Sequence, residues 1–340
     1  MGDATGAHEV GQAGRSDLEP LRYAAHEAAV IRSRLDMQFG VCLPHRWKYA
    51  SARLIADVAQ EAESLRFDSV WVTDHVIVPV NHVERGHIFY EALMTLAFVS
   101  SITRTVAMGT TVLAMPTRNP IVLAREVATL DALSGGRVIL GLGTGWIQEE
   151  LEAVGVAWAE RGRFLDEGIK VLRLLWSAEG PISFSGRYTN FREMLFAPKP
   201  ARRGGPPIWV GGMTNPSLRR VARMADGWLP WAVSKEELGD GAEKIRAMSG
   251  GRKITLACFS PADIGSKSIE AYVGTLGEHH HVITGSPDQV VHTIEGLQKS
   301  GLEHLALSFR DVRLFKDETP ELALRQMRLF AREIMPAFRA

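Results

Sequence analysis

An acidic residue and a histidine follow a short strand pattern in the segment SVWVTDHV, residues 69–76. Val70 and Val72 occupy alternate positions, which predicts a β-strand that ends just before Asp74 and His75. An imidazole with a pKa of about 6.5 can serve as acid or base near neutral pH. His75, with Asp74 beside it, is therefore a candidate for proton transfer, and the alternative is that both are ordinary polar residues of a loop.

Two glycine-rich segments follow later strand patterns. GLGTGW, residues 141–146, imitates a dinucleotide-binding loop, but its spacing is G-x-G-x-G and Asp166 lies within a helical pattern rather than at a strand end. WVGGMTNPSLRR, residues 209–220, places Gly211 and Gly212 before a predicted helix, whose first N–H groups attract anions. The second segment is a candidate phosphate site, although a tight strand-to-helix turn explains it equally well.

Histidine and tryptophan residues complete the set of candidates. The triplet HHH, residues 279–281, predicts a solvated loop, because three consecutive residues cannot converge on one ion and no carboxylate cluster accompanies them. We therefore expect no metal ion. Aromatic side chains near strand ends can wall a flat ligand. The candidates for a substrate pocket are His45, Trp47, Trp146 and Trp231.

The elements that must position these residues alternate regularly along the chain. Eight apolar strand patterns are each followed by a helical pattern, which predicts a (β/α)8 TIM barrel, with an open doubly wound sheet as the alternative. Residues 180–206 interrupt the rhythm and predict a β-hairpin and loop insertion between strands 4 and 5. Active sites of such barrels lie at the carboxyl ends of the strands, where the candidates above are placed.

Composition narrows the class of protein. The 340 residues are 46% hydrophobic and 23% charged, and 39 basic residues balance 39 acidic ones, so neither a nucleic acid nor a membrane is an expected partner. Cys42 and Cys258 fit no disulfide or metal spacing, which favours a cytoplasmic location. Residues 1–36 are small and polar and predict a disordered extension before one barrel domain, residues 37–340, with Met37 as a possible start.

Taken in order, several segments resemble the luciferase-like monooxygenase superfamily over residues 38–338. They are FGVCLP, SVWVTDHV, GTTVLAMPTRNPIVLAREVATLDALSGGRVILGLGTGW, RFLDEGIKVLRLLW, ISFSGRYTNF, PIWVGGMTNPSLRRVARMADGW and GSPDQVVHTIEGLQKSGLEHLAL. The W-x-x-D-H motif at Trp71–His75 resembles the branch that depends on coenzyme F420, a deazaflavin.

The resemblance implies roles for individual residues. It makes His75 the proton donor or acceptor, and Asp74 a second catalytic residue that contacts the cofactor or orients the site. It implies a non-prolyl cis peptide between Thr111 and Val112, in a bulge that supports the cofactor ring. Two further groups would bind the cofactor: Thr144, Gly145 and Glu149 near the ring, and Gly211, Gly212, Met213 and Thr214 at its phosphate.

The resemblance also implies an activity. We expect an F420-dependent oxidoreductase that transfers hydride between the deazaflavin and a small organic substrate. Superfamily members that oxidise sugar phosphates carry an acid just after GTG, where this chain has Trp146, so an apolar or aromatic substrate is expected instead. The alternatives are an FMN-dependent monooxygenase supplied by a separate reductase and a flavin-binding protein without catalysis. A homodimer is expected because dimers are common in the superfamily.

Overall fold

The computed structural model describes residues 37–80, 87–265, 268–273, 279–309 and 320–339. The extension predicted for residues 1–36 lies outside them. In chain order the elements are β1 (Gln38–Cys42), α1 (Ala52–Ser64), β2 (Ser69–Val72), α2 (Ala92–Ile102), β3 (Ala107–Thr110), β4 (Leu113–Ala114), α3 (Pro120–Ser134), β5 (Val138–Gly143), α4 (Gln148–Ala153), α5 (Arg161–Ser177), β6 (Ile182–Ser185), β7 (Asn190–Met194), β8 (Ile208–Val210), α6 (Asn215–Met224), β9 (Gly227–Trp228), α7 (Lys235–Met248), β10 (Thr255–Ile264), β11 (Ala271–Val273), β12 (His279–His281), β13 (Ile283–Gly285), α8 (Pro287–Lys299), β14 (His304–Phe309) and α9 (Pro320–Glu333).

The parallel strands close into a barrel. The order of neighbours is β1, β2, β3, β5, β8, β9, β10 and β14, and β14 pairs again with β1, so the sheet has no open edge along this path. Strand β4 continues β3 and pairs with β5, while β13 pairs with the end of β10. The closed circuit confirms the predicted (β/α)8 TIM barrel and excludes the open doubly wound sheet.

Two antiparallel hairpins lie outside this circuit. Strands β6 and β7 pair with each other in the stretch of chain between β5 and β8. Strands β11 and β12 pair in the stretch that follows β10. The second hairpin corrects the prediction for residues 279–281, which form a strand rather than a solvated loop because their backbone pairs with β11. Within the described residues, no cluster of His, Cys, Asp and Glu could hold a metal ion.

Local sequence signals account for the helix boundaries. Helix α3 begins after Asn119, whose side chain accepts hydrogen bonds from the N–H groups of Ile121 and Val122, and Pro120 occupies its first turn. It ends at Gly135 in the left-handed conformation, as glycine allows. In the part of the chain that the structure describes, no helix has the length and apolar character needed to cross a membrane.

Two indoles and a histidine pack together inside the barrel. The rings of Trp71 and Trp209 stack with centroids 5.4 Å apart, and the imidazole of His304 meets both rings edge-on. A Cβ atom at Gly109 would lie 2.2 Å from the Trp71 ring, so only glycine leaves room for it. Val70 and Val72 belong instead to the layer packed against the helices. The alternation predicted for this strand therefore separates a barrel-facing tryptophan from two outward valines.

Hydrogen bonds tie this interior cluster together. The Trp71 indole N–H donates to Ser69 Oγ at 2.7 Å, and Ser69 Oγ lies 2.8 Å from His304 Nε2. His304 Nδ1 lies 3.1 Å from Gln38 Oε1, which can accept its proton. Burial lowers the pKa of His304 from its ordinary 6.5 to about 3, so the ring is neutral inside the barrel.

A close contact between two strand backbones explains why Gly141, in the segment GLGTGW, is a glycine. A Cβ atom at Gly141 would lie 1.9 Å from the carbonyl oxygen of Thr110, in the strand that β5 adjoins. The Thr110 hydroxyl also donates to the Gly141 carbonyl at 2.7 Å. This glycine lies within β5 and allows the backbone between β3 and β4 to bulge against it, and it is not part of a dinucleotide-binding loop.

The neutral His304 predicts how stability depends on pH. The unfolded chain binds a proton at this ring below pH 6.5 and the folded chain only below about 3. The contribution of His304 to the free energy of unfolding is therefore complete above pH 6.5. It falls by about 1.4 kcal/mol per pH unit as the pH decreases toward 3. We expect the difference in free energy of unfolding between wild type and His304→Gln, measured with urea at pH 7, 6 and 5, to shrink as the pH falls.

The matched control is His292→Gln, on the exposed side of α8. Its free energy of unfolding should follow that of the wild type over the same pH range. If His304→Gln also runs parallel to the wild type, the imidazole is not held neutral in the folded protein.

Candidate active site

His75 lies directly after β2 and is held by a buried carboxylate. Its Nδ1 is 3.0 Å from Glu150 Oε2, and the other oxygen of Glu150 accepts the N–H of Val76 at 2.6 Å. The side chains of His75 and Glu150 are 14% and 2% exposed. Within the described residues Nε2 of His75 has no hydrogen-bond partner.

Two aromatic rings flank the imidazole. Phe89 and Trp146 meet it nearly perpendicularly, with centroids 5.0 and 5.7 Å from that of His75. Phe89 reaches this position because its backbone forms an antiparallel bridge with Arg46, just after β1. Trp146 follows β5 and is 55% exposed. Apart from the carboxylate of Glu150, the side chains that flank the His75 ring are therefore aromatic.

Asp74 has a different partner from its neighbour. Its two carboxylate oxygens accept hydrogen bonds from the Arg118 guanidinium at 2.6 and 2.8 Å, and one also lies 3.3 Å from the Ala114 N–H. Arg118 bridges to Glu91 at 2.9 Å. Burial alone would lower the pKa of Arg118, but its bonds to the two acids raise it. Both oxygens of Asp74 are therefore engaged, and of the two roles predicted for it, contact with the cofactor or orientation of the site, the geometry favours orientation.

The bulge after β3 lies against two loops at the same end of the barrel. The peptide bond between Thr111 and Val112 is cis, at the predicted position. The Val112 side chain lies 3.3 Å from the place of a Cβ atom at Gly211, which follows β8. Thr144 and Gly145 are half-buried and follow β5, which pairs with both β4 and β8. The structure thus brings these predicted cofactor residues to neighbouring strand ends.

The glycine turn after β8 opens into helix α6. Gly212 has a φ of 98°, and its carbonyl accepts the indole N–H of Trp228 at 2.9 Å. Thr214 caps the helix by accepting the Ser217 N–H at 3.4 Å. Gly212, Met213 and Thr214 are exposed, so the start of α6 is accessible to an anion.

His45 was predicted to line the substrate pocket, and the structure shows that this prediction is wrong. Its side chain is fully buried, and its Nδ1 donates to the Leu43 carbonyl at 2.8 Å while Nε2 accepts the Thr73 N–H at 3.0 Å. Burial, and then the neighbouring charge of Arg46, lower its pKa to about 4. The neutral ring connects the segments after β1 and β2 and has no accessible surface for a substrate.

The two other predicted pocket tryptophans are half-buried. The guanidinium of Arg46 lies 4.4 Å from the ring centroid of Trp47. Trp231 packs against Phe259 with centroids 4.8 Å apart, and its indole N–H donates to His280 Nδ1 at 3.1 Å. Neither ring is among those that contact His75.

Glu149, which was predicted to face the cofactor, is exposed on α4. Its neighbour Glu150 contacts His75. A signal for this was present, because Ile147, Glu150 and Leu151 share one face of the helix and Glu150 is the charged residue on that apolar face. Phe89 and Arg118 were also missed, since no local pattern marks them.

Comparison with known proteins supports this architecture. A family model described as luciferase-like monooxygenase matches residues 37–273. An F420-dependent glucose-6-phosphate dehydrogenase of Kineococcus radiotolerans is 38% identical over 179 residues, 52% of this chain and 51% of the relative, so the match spans about half of that protein.

Solved structures share the fold at low identity. An F420-dependent secondary alcohol dehydrogenase in complex with an F420-acetone adduct aligns with a TM-score of 0.73 at 21% identity, over 90% of this chain and 100% of that one. A type II Baeyer–Villiger monooxygenase of Pseudomonas putida in complex with FMN aligns with a TM-score of 0.69 at 16% identity, over 88% and 98% of the two chains. The match to the family model covers most of the chain, which therefore belongs to the luciferase-like monooxygenase family.

Proposed function

We propose that this protein is an F420-dependent oxidoreductase in which His75 transfers a proton to or from the substrate. The observation that carries the proposal is the hydrogen-bonded pair of His75 and Glu150 at the carboxyl end of β2, with Nε2 left available. The similarity to an F420-dependent dehydrogenase supports the choice of cofactor. A protein that only stores a cofactor would not need such a pair.

The described residues fit a flavin-like cofactor. Val112 is half-buried on the bulge beside Gly211 and could contact a flat ring, with Thr144, Gly145 and Glu149 nearby in sequence along the next strand end. The exposed turn of Gly211–Thr214 at the start of α6 could hold a phosphate through backbone N–H groups and the helix dipole. When bound, the deazaflavin would supply or accept hydride.

The surroundings of His75 indicate the class of substrate. Phe89 and Trp146 enclose the imidazole, and Val76 and Ile77 beside it are 53% and 54% exposed. An apolar rim favours a small apolar or aromatic molecule and excludes water from the reacting atoms. Trp146 stands where sugar-phosphate-oxidising members of the superfamily carry an acid, so a sugar phosphate is not the substrate we propose.

An FMN-dependent monooxygenase is the second candidate. The fold is shared with an FMN-bound monooxygenase, and a half-exposed rim at His75 would also admit a reduced flavin delivered by a separate reductase. The two candidates differ in the cofactor that the barrel prefers.

A binding titration separates these candidates. We expect coenzyme F420 to bind tightly and FMN weakly, measured by fluorescence quenching of the purified protein at fixed ionic strength. Inorganic phosphate added as a competitor should weaken F420 binding if the turn at Gly211–Thr214 holds its phosphate. Tighter binding of FMN would contradict the first candidate and favour the second.

Removal of the imidazole tests the role of His75. We expect His75→Ala to reduce turnover about 10²- to 10⁴-fold, the usual worth of a general acid or base, and to leave the dissociation constant of the cofactor unchanged. His292→Ala, on the exposed side of α8, is the matched control and should retain full turnover. Unchanged turnover in His75→Ala would exclude it as the proton-transfer group.

We also propose that the protein is located in a reducing cytoplasm. Cys42 and Cys258 are buried thiols, and burial raises the pKa of Cys258 to about 11, so that it is unreactive.

We propose as well that the protein acts as a homodimer. Helix α2 carries apolar side chains on its exposed side, where Met94 and Phe98 are 60% and 40% exposed. On the neighbouring α3, Leu133 is 77% exposed.

A charge placed on this face should disrupt the dimer. We expect the wild type to have the mass of a dimer by light scattering and Met94→Glu to have the mass of a monomer, because a carboxylate would be buried in an apolar interface. Met248→Glu, on α7, is the control and should remain dimeric. A monomeric wild type would refute the proposal.

A further inference from the structure

Glu150 is a buried acid whose contacts go beyond the proton-transfer role given to His75. Its Oε1 accepts the Val76 N–H at 2.6 Å and lies 3.5 Å from the Ile77 nitrogen, and its Oε2 faces His75 Nδ1 at 3.0 Å. We propose that Glu150 is a positioning residue, which holds the neutral ring of His75 with its proton on Nδ1 and leaves Nε2 to exchange a proton with the substrate. The proposal rests on the proposed function of His75.

The direction of the hydrogen bonds follows from the donors. A backbone N–H can only donate, so Oε1 is committed to Val76 as an acceptor. A carboxylate oxygen that faces a neutral imidazole accepts a hydrogen bond from the ring nitrogen beside it, as it does wherever a carboxylate orients a catalytic histidine. Nδ1 is therefore the protonated nitrogen, and Nε2 carries the lone pair. In water the neutral imidazole favours the opposite form, so this tautomer is a signature of the pair.

The ring is also held in its plane. Phe89 and Trp146 meet the imidazole at interplanar angles of 72° and 82°, one ring from the segment between β2 and α2 and one from the segment after β5. Glu150 bonds both the His75 side chain and the backbone that follows it, so one carboxylate sets the loop and the imidazole together. Rotation of the ring would break the bond to Glu150 and displace it from both aromatic contacts.

A purely structural role is the competing explanation, in which Glu150 only holds the loop through the Val76 N–H. The variant Glu150→Gln separates the two roles. A glutamine oxygen can still accept the Val76 N–H, but its amide NH₂ group then faces Nδ1 and can only donate. Nδ1 would become an acceptor and the proton would move to Nε2. Glu152→Gln removes an exposed charge from the same helix in the same way and is the matched control.

The tautomer can be read without cofactor or substrate. We would record two-bond ¹H–¹⁵N correlation spectra of protein labelled at the histidine nitrogens, with His75→Asn to assign the signal. We expect a protonated Nδ1 in the neutral ring of wild type and Glu152→Gln, and a protonated Nε2 in Glu150→Gln. A wild-type signal with the proton on Nε2, or a Glu150→Gln signal identical to wild type, would overturn the proposal. If Glu150→Gln does not fold, the wild-type spectrum decides alone.

The pH profile of turnover provides the second readout. Once an active substrate is found, we expect Glu150→Gln to reduce kcat at least about tenfold and to displace the limb of the profile that His75→Ala abolishes. Glu150→Asp, which keeps the carboxylate, should restore the position of that limb, and Glu152→Gln should not move it. A Glu150→Gln profile parallel to wild type would contradict the positioning role. Failure of the proposed function would appear separately. The protein would then not bind the cofactor, while its tautomer spectra would remain as expected above.

Discussion

The packing of two indoles inside the closed barrel is the interaction on which the rest of the structure depends. Trp71 and Trp209 stack across the interior, and His304 completes the layer through its bond to Ser69. Because Trp71 lies on β2, this layer fixes the strand whose next residues are Asp74 and His75. Close packing leaves no alternative register for that strand, since Gly109 has no side chain where the ring lies.

Two adjacent residues after β2 are directed to different parts of the barrel mouth. Asp74 is neutralised by Arg118 and connects the segment after β2 to the segment after β4. His75 pairs with Glu150 and connects the same segment to α4. The first contact pairs two opposite charges, and the second leaves Nε2 of His75 without a hydrogen-bond partner among the described residues. The chemical difference between the neighbours comes from their partners, which lie 44 and 75 residues further along the chain.

Much of the fold was predictable because its signals are local. Alternation of strand and helix patterns indicated the barrel, and Asn119, Pro120 and Gly135 marked the ends of α3, since caps and turns depend on a few adjacent residues. The cis bond between Thr111 and Val112 was expected from resemblance alone, and the structure has it. The position of His75 at a strand end followed from the order of elements in a parallel barrel.

The barrel, the position of His75 at a strand end and the balance of acidic and basic residues could all be read from the order and types of the residues. The tertiary structure decided which of two consecutive acids meets that histidine, because helix phase turns Glu150 inward and Glu149 outward. It also enclosed His45 and brought Phe89 beside His75 through pairing with Arg46. These contacts join segments far apart in the chain, and their geometry depends on closing the barrel, which no local pattern encodes.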